Sequence, residues 1–110
     1  MKNNDYEIYI QDHHVGYARD VTDDMPNTGG RFEPKPEFED YRLLFEQEMH
    51  FLKHKNYRAH EELMDAILRL GVKVVSNRFG TRVGFPSDKI VEGGLVYLHI
   101  YGGRAWWRPS

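Results

Sequence analysis

Leu95-Val96-Tyr97-Leu98-His99-Ile100-Tyr101-Gly102-Gly103-Arg104-Ala105-Trp106-Trp107-Arg108 is the stretch whose reading decides the fold. Apolar and polar residues alternate on both sides of a Gly-Gly pair, the pattern of two strands joined by a two-residue turn. With Gly102-Gly103 as the turn, Tyr101 faces Arg104, Ile100 faces Ala105, His99 faces Trp106, Leu98 faces Trp107 and Tyr97 faces Arg108. Successive side chains point to opposite sides of a strand, so Val96, Leu98, Ile100, Ala105 and Trp107 form a core face. Tyr97, His99, Tyr101, Arg104, Trp106 and Arg108 form the other face. Aromatics and arginine in one patch are the composition of energetic centres in protein interfaces. The competing explanation is a solvated sheet face held by Tyr–Arg and Trp–His pairs, or one covered by another segment.

The opposite end of the chain offers a second hairpin. Tyr6-Glu7-Ile8-Tyr9-Ile10 alternates, and Val15 to Arg19 returns after a polar break at Asp12, His13 and His14. A turn at Asp12-His13 pairs Ile10 with Val15 and Ile8 with Tyr17. Asp20 to Pro36 shows no periodicity; its prolines and Gly29-Gly30 predict a loop. Seventeen featureless residues exceed the ~12–15 expected in a compact domain, so this loop is expected to be functional or disordered. Its Asp20, Asp23, Asp24, Arg31 and Glu33 form a second candidate contact surface. The carboxylates miss the spacing of a calcium loop, and Gly29-Gly30 without a following helix is weak support for an anion site.

Between these lie two helical patterns. Pro36 with Glu37, Glu39 and Asp40 marks a helix start, and Phe38, Tyr41, Phe45, Met49 and Leu52 recur at helical spacing. Asn56 is placed to cap a second helix carrying Tyr57, His60, Leu63, Met64, Ile67 and Leu70, which ends at Gly71. Val72 to Ser76 reads as a short strand, and another is expected near Thr81 to Phe85. The fold class expected is therefore α+β. It has a mostly antiparallel sheet from the N-terminal hairpin and the C-terminal strands, with an antiparallel helix pair on one face, in one domain over residues 1–110.

Composition narrows the function classes. The 110 residues are 14% aromatic and contain no cysteine, which excludes disulfide frameworks, thiolate metal sites and cysteine nucleophiles. No leader or apolar span is evident, so a cytoplasmic protein without membrane contact is expected. Net charge is −2, but residues 1–48 carry −7 and residues 49–110 carry +5. That asymmetry favours a charged partner over a general nucleic-acid binder, which would have to use Arg78, Arg82, Lys89, Arg104 and Arg108. His50 and His54 share a helix face, but two ligands beside Lys53 make a poor metal site, and neither metal nor cofactor is expected. His13, His14 and Asp12 supply acid–base groups without a nucleophile at a recognisable offset. No catalytic set is assigned.

The reading that follows is a small protein-binding module, of the kind represented by bacterial inhibitor or immunity-type proteins. Its partner would be another protein, and its oligomeric state, a homodimer included, is left open. The alternative is a small acid–base enzyme, nuclease- or cyclase-like, drawing on His99, Arg104 and His13 or His14.

Overall fold

A computed structural model describes residues 5–24, 27–76 and 90–109. The fold is α+β, an antiparallel sheet curled upon itself with two packed helices on one face. The strands are β1 (Tyr6–Ile10), β2 (His13–Asp24), β3 (Asn27–Pro34), β4 (Val72–Ser76), β5 (Ile90–Tyr101) and β6 (Arg104–Pro109). A short 3-10 turn, Pro36–Asp40, leads into α1 (Arg42–Lys53), and α2 spans Tyr57–Arg69. The strand near Thr81 to Phe85 lies outside the described residues, as do Arg78, Arg82 and Lys89.

The sheet closes in the order β1-β2-β3-β6-β5-β4, with β4 pairing back onto β1. Closure leaves none of these six strands as a free edge for another chain to extend. Tyr6, Ile8 and Ile10 of β1 point inward, joined by Val72 and Val74, by Val96, Leu98 and Ile100, and by Ala105 and Trp107. Each fully buried branched aliphatic contributes roughly 1.5–3 kcal/mol, so this filled interior is the main source of stability.

The β5–β6 register is the one expected from Tyr101–Arg104 through Tyr97–Arg108. The first hairpin departs from expectation. Its turn is Gln11-Asp12, both at positive φ (53° and 65°), so Ile10 pairs with His13 and Tyr9 with His14. A bulge then follows, and Ile8 pairs with Gly16 and Glu7 with Tyr17. Turns with two positive-φ residues match the twist of the flanking strands, which sets the turn one residue earlier than apolar pairing suggests.

The larger correction concerns Asp20 to Pro36. Most of this segment is strand: β2 runs on to Asp24, and β3 occupies Asn27–Pro34. Arg19 pairs with Arg31 and Thr22 with Gly29, so Asp20 and Val21 together oppose Gly30 in a bulge, with Asp20 at φ 54°. The bulge breaks the alternation that a strand normally shows, and it adds the twist that lets a sheet close. Gly29 and Gly30 serve backbone approach within the barrel. A Cβ on Gly30 would lie 2.3 Å from the Arg19 carbonyl, and one on Gly29 would lie 2.6 Å from the Ala105 carbonyl.

The helices follow from the chain's exit at Pro34. In this antiparallel barrel β1, β3 and β5 finish at the end where β2, β4 and β6 begin. Phe38 stacks edge-on against Phe32 at 4.8 Å, and the Tyr41 hydroxyl donates to Gln11 Oε1 at 2.9 Å. These contacts, with buried Phe45 and Ile67, cover that end and extend the core. Asn56 caps α2 as expected, its Oδ1 accepting from the Ala59 N–H at 3.4 Å. Both helices also contact β5.

Candidate functional site

The helices come to rest on the side of β5 that bears His99. Three polar side chains meet there, one each from α1, α2 and β5. Glu48 is fully buried, and His60 and His99 are nearly so. Glu48 Oε1 accepts from His60 Nε2 at 2.9 Å and from His99 Nδ1 at 2.5 Å. The two imidazoles are almost parallel, with centroids 6.4 Å apart and planes 8° apart. Trp106, directly across the strand pair, stacks on the other side of His99 at 5.4 Å. The second carboxylate oxygen, Glu48 Oε2, is buried and has no hydrogen-bond partner among the described residues.

With Glu48 as a carboxylate, which accepts only, His60 carries hydrogen on Nε2 and His99 on Nδ1. The remaining nitrogens, His60 Nδ1 and His99 Nε2, make no hydrogen bond among the described residues. Beside His60 lies a cavity of about 380 Å³, lined also by Glu61, Met64, Asp65, Tyr97 and Arg108. The Arg108 guanidinium sits 4.8 Å above the Tyr97 ring, leaving its charge beside the cavity. The site thus combines a buried carboxylate, two oriented imidazoles and a cation next to a concavity.

The expected aromatic face is split by the helices. His99 is beneath α1 and α2, whereas Tyr101, Arg104 and Arg108 are exposed and Tyr97 and Trp106 half-buried. Lys53 of α1 donates to the Tyr101 hydroxyl, its ammonium 4.1 Å from the ring centroid. His99, offered by sequence as part of an open surface, is enclosed because the helices cover the outer side of β5.

The acidic segment lies next to the remainder of that face, since β3 pairs with β6: Arg31 opposes Arg104, and Gly29 opposes Trp106. Arg104 and Trp106 line a concavity of about 220 Å³ with Thr22, Asn27 and Gly29. Charges along the segment are partly matched. Asp20 meets Arg31 at 3.3 Å, Asp23 accepts from the Thr28 hydroxyl at 2.9 Å, and Arg19 lies between Glu33 and Asp5 at 3.1 and 2.7 Å. The Arg19 hydrogen bonds hold the Glu33 carboxyl below its ordinary range. Asp24 pairs in register with Asn27 near the hairpin end.

His13 and His14 do not join His99, because β2 and β5 are separated by two strands in either direction around the barrel. His13 Nδ1 lies 3.0 Å from the Tyr41 hydroxyl, which donates to Gln11, so His13 is the donor to Tyr41. His14 Nε2 donates to the Gly16 carbonyl, its Nδ1 accepts from Lys35, and its ring stacks on Tyr9. Both histidines are occupied by local structure. His50 and His54 are exposed neighbours with ring centroids 4.3 Å apart.

Glu48 was missed from sequence, though its spacing carried a signal. It stands three residues after Phe45 and beside Met49, on the buried stripe of α1, where a carboxylate is out of place. His60 occupies the corresponding stripe of α2. Among the described residues, no helix is long and apolar enough to cross a membrane. No protein-family model, curated protein or solved structure matches this chain.

Proposed function

We propose that this chain is a small acid–base enzyme, nuclease- or cyclase-like, working at Glu48, His60 and His99. The observation that carries the reading is the shared Glu48 oxygen, which orients two imidazoles at once beside a cavity that holds Arg108. A carboxylate on one ring nitrogen fixes the tautomer and raises the readiness of the other nitrogen to take a proton. In this scheme His60 Nδ1 exchanges the proton, Glu48 and His99 hold His60 in position, and Arg108 steadies developing negative charge. This revises the nuclease- or cyclase-like alternative of the sequence reading: His99 stays, Glu48 and His60 stand where His13 or His14 was expected, and Arg108 stands where Arg104 was.

The test is turnover of an activated phosphodiester, bis(p-nitrophenyl) phosphate, and of short RNA by purified protein. Loss of a general acid–base group is expected to lower the rate by roughly 10²–10⁴-fold in His60→Ala, with folding checked by circular dichroism. Absence of turnover on both substrates, or full activity in His60→Ala, would remove this assignment.

A protein-binding function is the second reading, favoured by the concavity that joins Arg104 and Trp106 to β2 and β3. It uses Tyr97, Tyr101, Arg104, Trp106 and Arg108 together with Asp20, Asp23, Asp24, Arg31 and Glu33, the surface an inhibitor or immunity-type protein in the cytoplasm would present. His99 contributes by positioning Trp106. Trp106→Ala and Arg104→Ala are expected to abolish capture of a partner without unfolding. Capture by both variants equal to the parent protein would count against it.

A further inference from the structure

We infer that Glu48, His60 and His99 form a binding site for one divalent transition-metal ion of the zinc type. Three ligand atoms from three different elements all lie within 4.8 Å of one another. Two imidazole nitrogens and a carboxylate are a ligand set that zinc takes when it keeps an open position for water or substrate. In the hydrogen-bonded arrangement both N–H groups converge on one oxygen, at 2.9 and 2.5 Å. To reach the ligand separation of a tetrahedral site, about 3.3 Å for bonds near 2.0–2.1 Å, those contacts open by about 0.4 and 0.8 Å while the two imidazole nitrogens, within 4.8 Å of each other, settle at the same spacing.

The charge balance argues in the same direction. A carboxylate with no solvent exposure is costly to desolvate, and among the described residues no lysine or arginine pairs with Glu48. Its Oε2 is, in addition, a buried acceptor with no donor among the described residues. A dication supplies the missing charge and takes either or both carboxylate oxygens. Coordination would use lone pairs at His60 Nε2 and His99 Nδ1, so the protons held there move to the opposite ring nitrogen or to solvent. Trp106 stacked on His99 limits rotation of that ring, and His60 is the ligand that borders a cavity.

Metal binding replaces the Glu48 hydrogen bonds on which the proposed acid–base scheme relies, so the two readings are alternative states of the same three residues, and binding is read without turnover. The full chain, stripped with EDTA, is titrated with zinc chloride by calorimetry, and cobalt chloride is added to a second sample for its visible ligand-field spectrum. One ion per chain and an intense tetrahedral cobalt spectrum are expected. Glu48→Gln, which keeps the side-chain volume, is expected to weaken binding by more than the roughly 10–100-fold that loss of a supporting group costs. A joint His50→Ala, His54→Ala variant, which removes the exposed pair on α1, is expected to bind as the parent does. Failure of the parent chain to bind zinc, unchanged binding in Glu48→Gln, or loss of binding in the His50/His54 variant would each overturn the inference. Turnover that persists in EDTA by a chain that binds no zinc would leave the acid–base reading standing alone.

Discussion

Glu48 Oε1 on α1 lies 2.5 Å from His99 Nδ1 on β5, a contact across 51 positions that fastens the helical layer to the barrel. Because Glu48 is fully buried and His60 shares the same oxygen, the polar groups at this junction depend on one another. Truncation by Glu48→Ala leaves two enclosed imidazole N–H groups unpaired and is expected to cost about 2–6 kcal/mol, at about 1–3 kcal/mol for each. Glu48→Gln retains an acceptor oxygen and is expected to cost about 1–3 kcal/mol. Urea unfolding of both variants checks the order. Equal losses would show that the carboxylate charge, which both variants lack, matters at this position more than an acceptor oxygen or packing volume.

His60 and His99 share one Glu48 oxygen and lie parallel with centroids 6.4 Å apart, which predicts that their contributions are not independent. A double-mutant cycle with His60→Ala and His99→Ala is expected to give a coupling of about 0.5–3 kcal/mol. Losses that simply add would mean that the helix–helix and helix–strand contacts each stand by themselves.

Glycines at two places in the barrel are expected to respond differently to the same substitution. Gly30→Ala places a methyl group 2.3 Å from the Arg19 carbonyl, backbone that can yield only by distorting the β2–β3 pairing. Overpacking of that kind costs about 1–3 kcal/mol or more. Gly102→Ala meets no atom within 4 Å, but its φ of +60° is unfavourable for alanine, at about 1–2 kcal/mol. Thermal melts should rank Gly30→Ala as the more damaging, with loss of cooperativity if closure fails.

Tyr9 supplies a prediction at alkaline pH. Burial, and then its hydrogen bond to Glu7 at 2.6 Å, push its phenol up to about 12 from the ordinary 10.0. The folded state thus favours the protonated phenol more than the unfolded chain does. The resulting stability is fully present below pH 10 and is lost as pH rises towards about 12. Tyr9→Phe is expected to flatten the stability profile across that window, and tyrosinate absorbance should show one late-titrating tyrosine in the parent that the variant lacks. An unchanged profile in Tyr9→Phe would assign the alkaline loss to other groups.

The parts of the fold legible in the sequence are those whose signal is local. Alternation around Gly102-Gly103 set the β5–β6 register, because a two-residue turn leaves one pairing that buries Leu98, Ile100 and Trp107 together. Asn56 and the apolar spacing of α2 worked for the same reason. Asp20 to Pro36 misled because a bulge at Asp20-Val21 and glycines at 29 and 30 erase the alternation that identifies a strand. These residues are explained by a neighbour's backbone, and no periodicity within their own segment reports it.

By itself, the sequence determined the α+β class, the C-terminal hairpin with its two faces, and the second helix with its cap. Turn, cap and alternation are interactions between residues a few positions apart. Tertiary structure alone decided that the sheet closes, that the helices cover His99 and leave Trp106 half-buried, and that Glu48, His60 and His99 meet. Closure needs β4 to find β1, and the cluster needs α1, α2 and β5 in register. Both depend on how the whole core fills, a property of all the packed elements together.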